Sequence, residues 1–245
     1  IYKGLSKMDH LAAISEYVKK TIVKKYNLSP NKILVINRGI DTEYFNQTLD
    51  AQTKDNIIKN HKIDTAKKII LFPARITNWK GQLEFIDVIK KMDTQNILVL
   101  FAGDTKNESY TKLVRDKIDQ NNLDGIFKIL GSINQDKMRS LYQIADLSVS
   151  FPLRAEGFGR TVSESLYSKT PVLAFDYGGV KNQLANLSDM FKVKPQDYQG
   201  LPVKIEKILN LTEDQNKAVL EGAQAVIESN FSKINMVNQY LKLYE

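Results

Sequence analysis

Short apolar runs alternate with amphipathic stretches along almost the whole chain, and this alternation limits the fold more than any other feature. The runs cover residues 10–15, 32–37, 68–72, 96–102, 126–130, 147–151, 171–175 and 190–193. They are rich in Ile, Val, Leu and Phe and mostly lack in/out alternation, so they read as strands buried on both faces. Helical patterns lie between them. Leu83, Ile86, Ile89 and Met92 recur every three residues after Gly81. Met138, Leu141, Tyr142 and Ala145 follow Asn134, which reads as a helix cap with Asp136 and Lys137 in the first turn. Strand–helix–strand repetition at this spacing predicts an α/β protein with a doubly wound, Rossmann-like parallel sheet. Three helical patterns close the chain, at about 199–210, 213–229 and 232–244, with no strand between the last two.

The 245 residues allow one large domain or two small ones. A polar stretch, 41–67, separates two front strands from the six behind it. A complete doubly wound domain needs more than two strands. The expected organisation is therefore a remnant of a preceding domain over 1–45, an interdomain connection over 46–67, the main domain over 68–230, and a C-terminal helix over 231–245 returning toward the first. The leading Ile and the two orphan strands are expected of a piece of a longer chain.

The absence of Cys excludes a disulfide scaffold, thiolate metal sites and a Cys nucleophile. Two histidines, His10 and His61, leave almost no room for a multi-histidine metal site. No apolar run approaches the ~18 residues of a membrane span, and no signal peptide opens the chain. The net charge of +7 is front-loaded. Lys3, Lys7, Lys19, Lys20, Lys24, Lys25, Lys32 and Arg38 face only Asp9 and Glu16 over residues 1–40, leaving +1 for the rest. A nucleic-acid footprint shows Arg and aromatics on one stripe, and this chain has none, so no nucleic-acid partner is expected. A basic front segment fits a solvated surface or peripheral contact with an anionic membrane.

The most informative stretch is 154–165, RAEGFGRTVSES. A strand runs into Pro152, a turn with Gly157 and Gly159, and a helix carrying Val162 and Leu166. Glycines at the helix start let a ligand approach the backbone. The free N–H groups of Phe158, Gly159, Arg160 and Thr161 would face an anion, helped by the helix dipole. In an open parallel sheet that strand end is where ligands bind. PARITNWKG, 73–81, follows another strand and places Arg75 and Lys80 at the same edge, a planar fork and a point charge for phosphate oxygens. Gly103-Asp104, Gly131-Ser132 and Gly178-Gly179 follow further strands and outline a cleft. Dinucleotide binding is an alternative, with Asp176 as the ribose acid, although the third glycine position is Val162 and four residues precede the first glycine. No Asp-x-Asp and no Gly-x-x-x-x-Gly-Lys-Ser/Thr phosphate loop occurs.

These residues together resemble the retaining glycosyltransferases of family 4, which have the GT-B fold. Glu156-GFGRTVS-Glu164 matches the family's two glutamates with seven residues between them, and Arg75, Lys80 and Gly81 match its Arg…Lys-Gly element. INRGIDTEYF (36–45), AISEYVKK (13–20), Ala145-Asp146 and the Gly178-Gly179 turn fit as well. The resemblance implies a GT-B C-terminal domain with a partial remnant of the N-terminal, acceptor-side domain. It implies that Glu164 binds the ribose of a nucleotide-sugar donor, that Glu156 holds the donor sugar, and that Arg75 and Lys80 neutralise the diphosphate. The backbone of Phe158, Gly159 and Arg160 assists them, and Leu130 and Gly131 lie against the base. Gly103 and Thr161 complete the donor cleft.

Neither a metal nor a cofactor is then expected. The expected acceptor is a glycan or lipid-linked acceptor, in bacterial surface polysaccharide or lipopolysaccharide synthesis. The expected location is the cytoplasm or the inner face of its membrane. The chain departs from the family at Asn182, where an acid is usual after the first Gly of the GG turn. Neither His10 nor His61 matches the acceptor-domain histidine, so no catalytic base is assigned. An NAD-linked oxidoreductase and a non-catalytic nucleotide-sugar-binding module remain alternatives. Glycoside hydrolysis by Glu156 and Glu164 fits poorly, because it needs both carboxyls across one bond.

Overall fold

The computed structural model describes Gly4, Met8 and residues 10–245. Lys3, Lys7 and Asp9 of the basic front segment lie outside the described residues, as do Ile1, Tyr2, Leu5 and Ser6. All eight apolar runs contain strands. β1 (Leu11–Ala13) and β2 (Ile33–Val35) pair in parallel as a small sheet, against which α1 (Glu16–Tyr26) packs. The other six are β3 (Lys68–Pro73), β4 (Ile97–Ala102), β5 (Phe127–Gly131), β6 (Leu147–Ser150), β7 (Val172–Phe175) and β8 (Lys192–Val193). They form one wholly parallel sheet in the order β5-β4-β3-β6-β7-β8. β4, β6 and β7 are buried at every residue, as unalternating apolar runs require.

The polar stretch 41–67 carries two helices, α2 (Thr42–Asn46) and α3 (Ala51–Asn60). Its aspartates act as caps: Asp41 accepts from the Tyr44 N–H at 3.0 Å and Asp50 from the Thr53 N–H at 2.8 Å. Phe45, Ile57 and Ile63, scattered among polar residues, join the same core as the large sheet. The run at 190–193 contributes only two strand residues. Ser188 caps a short 3₁₀ turn over Asp189–Phe191, which takes up the start of the run.

Strand order dictates the helix layers. β3, β4 and β5 are added in one direction, and β6, β7 and β8 in the other. Right-handed crossovers therefore put their helices on opposite faces. α4 (Gln82–Ile89) and α5 (Glu108–Gln120) pack together on one face. α6 (Gln135–Ile144), α7 (Arg160–Tyr167) and α8 (Val180–Leu184) pack on the other. Asn134 caps α6 as the sequence predicts, accepting from the Lys137 N–H at 2.9 Å. α9 (Leu201–Leu209) joins α4, and α10 (Glu213–Phe231) joins α7 and α8. At the junction of α10 with α11 (Lys233–Tyr244) the chain clasps the front segment. The Ile40 N–H donates to the Phe231 carbonyl at 2.8 Å, and the Lys233 N–H to the Ile40 carbonyl at 2.7 Å.

A row of phenyl rings crosses the sheet at the carboxyl ends of its strands. Phe72 of β3 lies 5.5 Å from Phe101 of β4 and 6.4 Å from Phe151 after β6, which lies 5.1 Å from Phe175 of β7. Phe72 also meets Phe85 of α4 edge-on at 5.5 Å. These buried rings form the floor beneath the loops that follow the strands. Phe72→Ala is expected to lower stability by about 3–5 kcal/mol, the cost of an aromatic-sized cavity. Urea unfolding measures it, and a loss below about 1 kcal/mol would show that the row does not hold the core together.

Candidate functional site

The order of strand addition reverses between β3 and β6. In an open parallel sheet the loops leaving the carboxyl ends of such neighbours diverge and leave a crevice for a ligand. Both sequence-predicted motifs fall there, PARITNWKG after β3 and RAEGFGRTVSES after β6.

Glycine lets these two loops touch. Gly81 has φ +90°, and a Cβ there would sit 2.3 Å from the Phe151 carbonyl oxygen, so only glycine fits before α4. The Leu153 N–H donates to the Trp79 carbonyl at 2.8 Å, and Gln82, fully buried, donates to the Arg75 carbonyl at 2.9 Å. With the loops knitted together, Lys80 Nζ meets Glu156 Oε1 at 2.5 Å, each side chain 15% exposed. The Lys80 ammonium also sits 4.3 Å from the centre of the Trp79 ring.

α7 starts at Gly159, in the left-handed conformation at φ 83° and packed against Val180. The Val162 N–H turns back to the Gly159 carbonyl at 3.1 Å. The N–H groups of Arg160 and Thr161 belong to the first turn, which has no earlier helical carbonyl to bond. Glu164, on the second turn, is 7% exposed. Arg160 Nη2 pairs with its Oε1 at 2.7 Å, and the Tyr142 hydroxyl of α6 donates to its Oε2 at 3.2 Å. Burial, and then the neighbouring Glu164 charge, push the Tyr142 hydroxyl far above its ordinary range, so it stays a donor. Burial and the nearby Glu156 push Tyr177 up to about 12, and its hydroxyl donates to the Pro152 carbonyl at 2.6 Å.

A cleft of 270 Å³ opens between these elements. It is lined by Arg75, Gly103, Ser132, Tyr142, Thr161 and Glu164, together with Ile133 and Met138. Of the sequence-predicted residues, Arg75, Gly103, Thr161 and Glu164 therefore share one cleft. Lys80 and Glu156 lie on the two loops and Arg160 opens α7, and all three are engaged in ion pairs. The Phe158 side chain goes into the core, 5.8 Å from the Phe231 ring, and leaves only its backbone for the site. Leu130 and Gly131 end β5. Gly131 accepts the Gly103 N–H at 2.9 Å, while the cleft itself is lined by the next two residues, Ser132 and Ile133. Asn182 sits on α8, where its neighbour Gln183 makes the contacts to the loop.

Sequence reading missed Tyr142, which shares the apolar period of α6, and the buried Gln82 and Gln183, which carry no local signal. Larger cavities are present, one of 560 Å³ adjoining the cleft at Asp104 and Ser132. Another of 380 Å³ sits by β7 and β8, where Lys192 pairs with Asp189 at 3.3 Å and Lys204 donates to the Asp189 and Lys192 carbonyls. It lies away from the β3/β6 reversal, and two of its three lysines, Lys192 and Lys204, are committed to the protein. Among the described residues no three His, Asp or Glu side chains cluster as a metal site requires, and no helix is long and apolar enough to cross a membrane.

A wholly parallel Rossmann-like sheet with a cationic loop and a glycine-started helix across its reversal point is a GT-B-type architecture. The profile of glycosyl transferases group 1 matches residues 53–224, and the chain belongs to that family. A crystal structure of a glycosyltransferase from Rickettsia africae superposes with a TM-score of 0.91, at 28% identity over 99% of this chain and 64% of that one. A structure of Anabaena HepE in complex with UDP-glucose superposes with a TM-score of 0.84, at 20% identity over 96% of this chain and 63% of that one. The capsular polysaccharide biosynthesis glycosyltransferase CapM of Staphylococcus aureus is 26% identical over 95% of this chain and 62% of its own length. The chain thus spans under two thirds of each of these relatives.

The fit of Gly81 yields a test. Gly81→Ala is expected to destabilise the protein by more than about 1 kcal/mol, since alanine must adopt positive φ and displace the Phe151 carbonyl. Urea unfolding reads this, and an unchanged midpoint would mean that the two loops are not in contact.

Proposed function

We propose that the chain is the donor-binding part of a retaining, metal-independent glycosyltransferase. The reaction moves a sugar from a nucleotide-diphosphate sugar to a glycan or lipid-linked acceptor. The observation that carries this reading is the meeting, at the sheet's reversal point, of Arg75, Lys80 and the α7 N-terminus with two carboxylates, Glu156 and Glu164. Cleaving the bond between a sugar carbon and the diphosphate oxygen leaves negative charge on the diphosphate. Fixed cations and N–H dipoles stabilise that charge as it develops, without covalent participation by the protein. Arg75, Lys80 and the N–H groups of Gly159, Arg160 and Thr161 are the groups available for this, in place of a divalent cation. Glu164, held by Arg160 and Tyr142, is ready to accept from the ribose hydroxyls, and Glu156 from the donor sugar. Ser132, Ile133 and Met138 then lie where the base would rest, with Gly131 and Leu130 behind them.

The resemblance to Anabaena HepE, solved with UDP-glucose, supports a nucleotide-sugar donor. The resemblance to CapM supports a role in surface polysaccharide synthesis. Lys20, Lys24 and Lys25 on α1 are exposed, which supports peripheral contact with the anionic inner face of the cytoplasmic membrane. Against the oxidoreductase alternative, Val162 is fully buried where the dinucleotide fingerprint needs glycine, and Glu164 rather than Asp176 lines the cleft.

Lys80→Ala or Arg75→Ala is expected to weaken nucleoside-diphosphate binding by about 1.5–3 kcal/mol, the scale of a charged hydrogen bond. Glu156→Gln removes the carboxylate that occupies Lys80, so it should leave the free nucleoside diphosphate bound at least as tightly and weaken only the sugar-bearing donor. Calorimetry with UDP-, GDP- and ADP-sugars, their nucleoside diphosphates and NAD measures all of these. Tight binding of NAD alone would overturn the reading.

A further inference from the structure

The loop between β6 and α7 is held by three consecutive carbonyls, the outer two bonded from α8 and its N-cap and the middle one from the front segment. The Glu156 carbonyl accepts the Gly179 N–H at 2.8 Å, the Gly157 carbonyl accepts the Ser15 hydroxyl at 2.6 Å, and the Phe158 carbonyl accepts Gln183 Nε2 at 2.5 Å. In a trans peptide the carbonyl and the following N–H point in opposite directions, and no cis peptide occurs among the described residues. Holding the carbonyls of 156, 157 and 158 therefore turns each following N–H, of Gly157, Phe158 and Gly159, away from the group that holds its carbonyl. Among the described residues, these three N–H groups have no protein acceptor. Successive N–H groups turned to one side make a concavity for an anion.

The middle bond comes from the front segment. Ser15 is 1% exposed and does two jobs, capping α1 by accepting from the Val18 N–H at 3.2 Å and donating to Gly157. The contact is close on both sides. A Cβ on Gly157 would lie 3.3 Å from Ile14 and Val18, and one on Gly179 would lie 2.1 Å from the Gly157 carbonyl. Ser15 lies outside the 53–224 segment matched by the family profile.

We propose that Ser15 is a positioning residue for the donor diphosphate: its hydroxyl, bonded to the Gly157 carbonyl, aims the Phe158 N–H at the phosphate oxygens. The inference rests on the donor-binding reading above. It extends the site to the front segment, through the Ser15–Gly157 contact.

The test compares UDP with UMP, and GDP with GMP, by calorimetry on the full chain. Ser15→Ala should weaken the diphosphate about fivefold to tenfold, the scale of one neutral hydrogen bond, and leave the monophosphate within about twofold. Ser15→Thr, which keeps the hydroxyl, should restore the ratio. Gly157→Ala, which presses on Ile14 and Val18 without removing the hydroxyl, should shift the ratio the same way. It keeps the test decisive if Ser15→Ala does not fold. A variant that loses thermal stability but keeps the wild-type ratio would overturn the proposal, because a purely structural contact weakens both ligands alike. Wild-type binding that is lost on Lys80→Ala but unmoved on Ser15→Ala overturns this inference alone. A wild type that binds neither UDP nor GDP overturns the donor-binding reading and this inference with it.

Discussion

The contact between the loop after β3 and the loop after β6 is the constraint on which the rest of the site depends. Gly81 presses against the Phe151 carbonyl, and Leu153 bonds to Trp79. Only with this approach can Lys80 reach Glu156, which lies 76 residues further along the chain. The approach in turn depends on the strand ends being level, and the buried row Phe101, Phe72, Phe151 and Phe175 sets that level. Apolar packing thus fixes the height of the strand ends, glycine permits contact between the loops, and the charges are placed as a consequence.

The charges are balanced within the protein. Lys80 is paired with Glu156 between the two loops, and Arg160 with Glu164 within the first two turns of α7, all at one edge of the sheet. A half-buried cation with no partner is costly, and removing one member of such a pair leaves the other uncompensated. A donor carrying both phosphate and hydroxyl groups can satisfy cation and carboxylate together, whereas a bare anion can satisfy only the cation. The pairing therefore favours a ligand with both kinds of group. Backbone geometry adds a preformed part, since the loop carbonyls are tied to Gly179, Ser15 and Gln183 before any ligand arrives.

Much of this was legible in the sequence. Strands buried on both faces announce themselves by unbroken apolar runs, and Asn134 announced α6 through its cap. That Arg75 and Glu164 share one cleft was legible because both motifs directly follow strands, and the carboxyl ends of parallel strands lie at one edge of the sheet. α2 and α3 were less legible, because Asp41 and Asp50 look like loop residues when read singly and are caps in place. Tyr142 was read as part of an apolar stripe, since helical period cannot distinguish a ring with a buried hydroxyl partner from one without. Ser15 and Gln183 bond to backbone carbonyls far away in sequence, and no local pattern encodes such a contact. The cleft falls on Ser132 and Ile133 rather than on Leu130 and Gly131 because Gly131 turns to receive Gly103, a detail of strand termination.

The most direct test is the crystal structure of the chain with whichever nucleotide sugar binds it most tightly. The account predicts density for the diphosphate between Arg75, Lys80 and the N-terminus of α7, with the Lys80–Glu156 pair opened and the ribose on Glu164. A nucleotide seated instead at the β7–β8 edge, beside Asp176 and Lys192, with the Lys80–Glu156 pair intact, would contradict it.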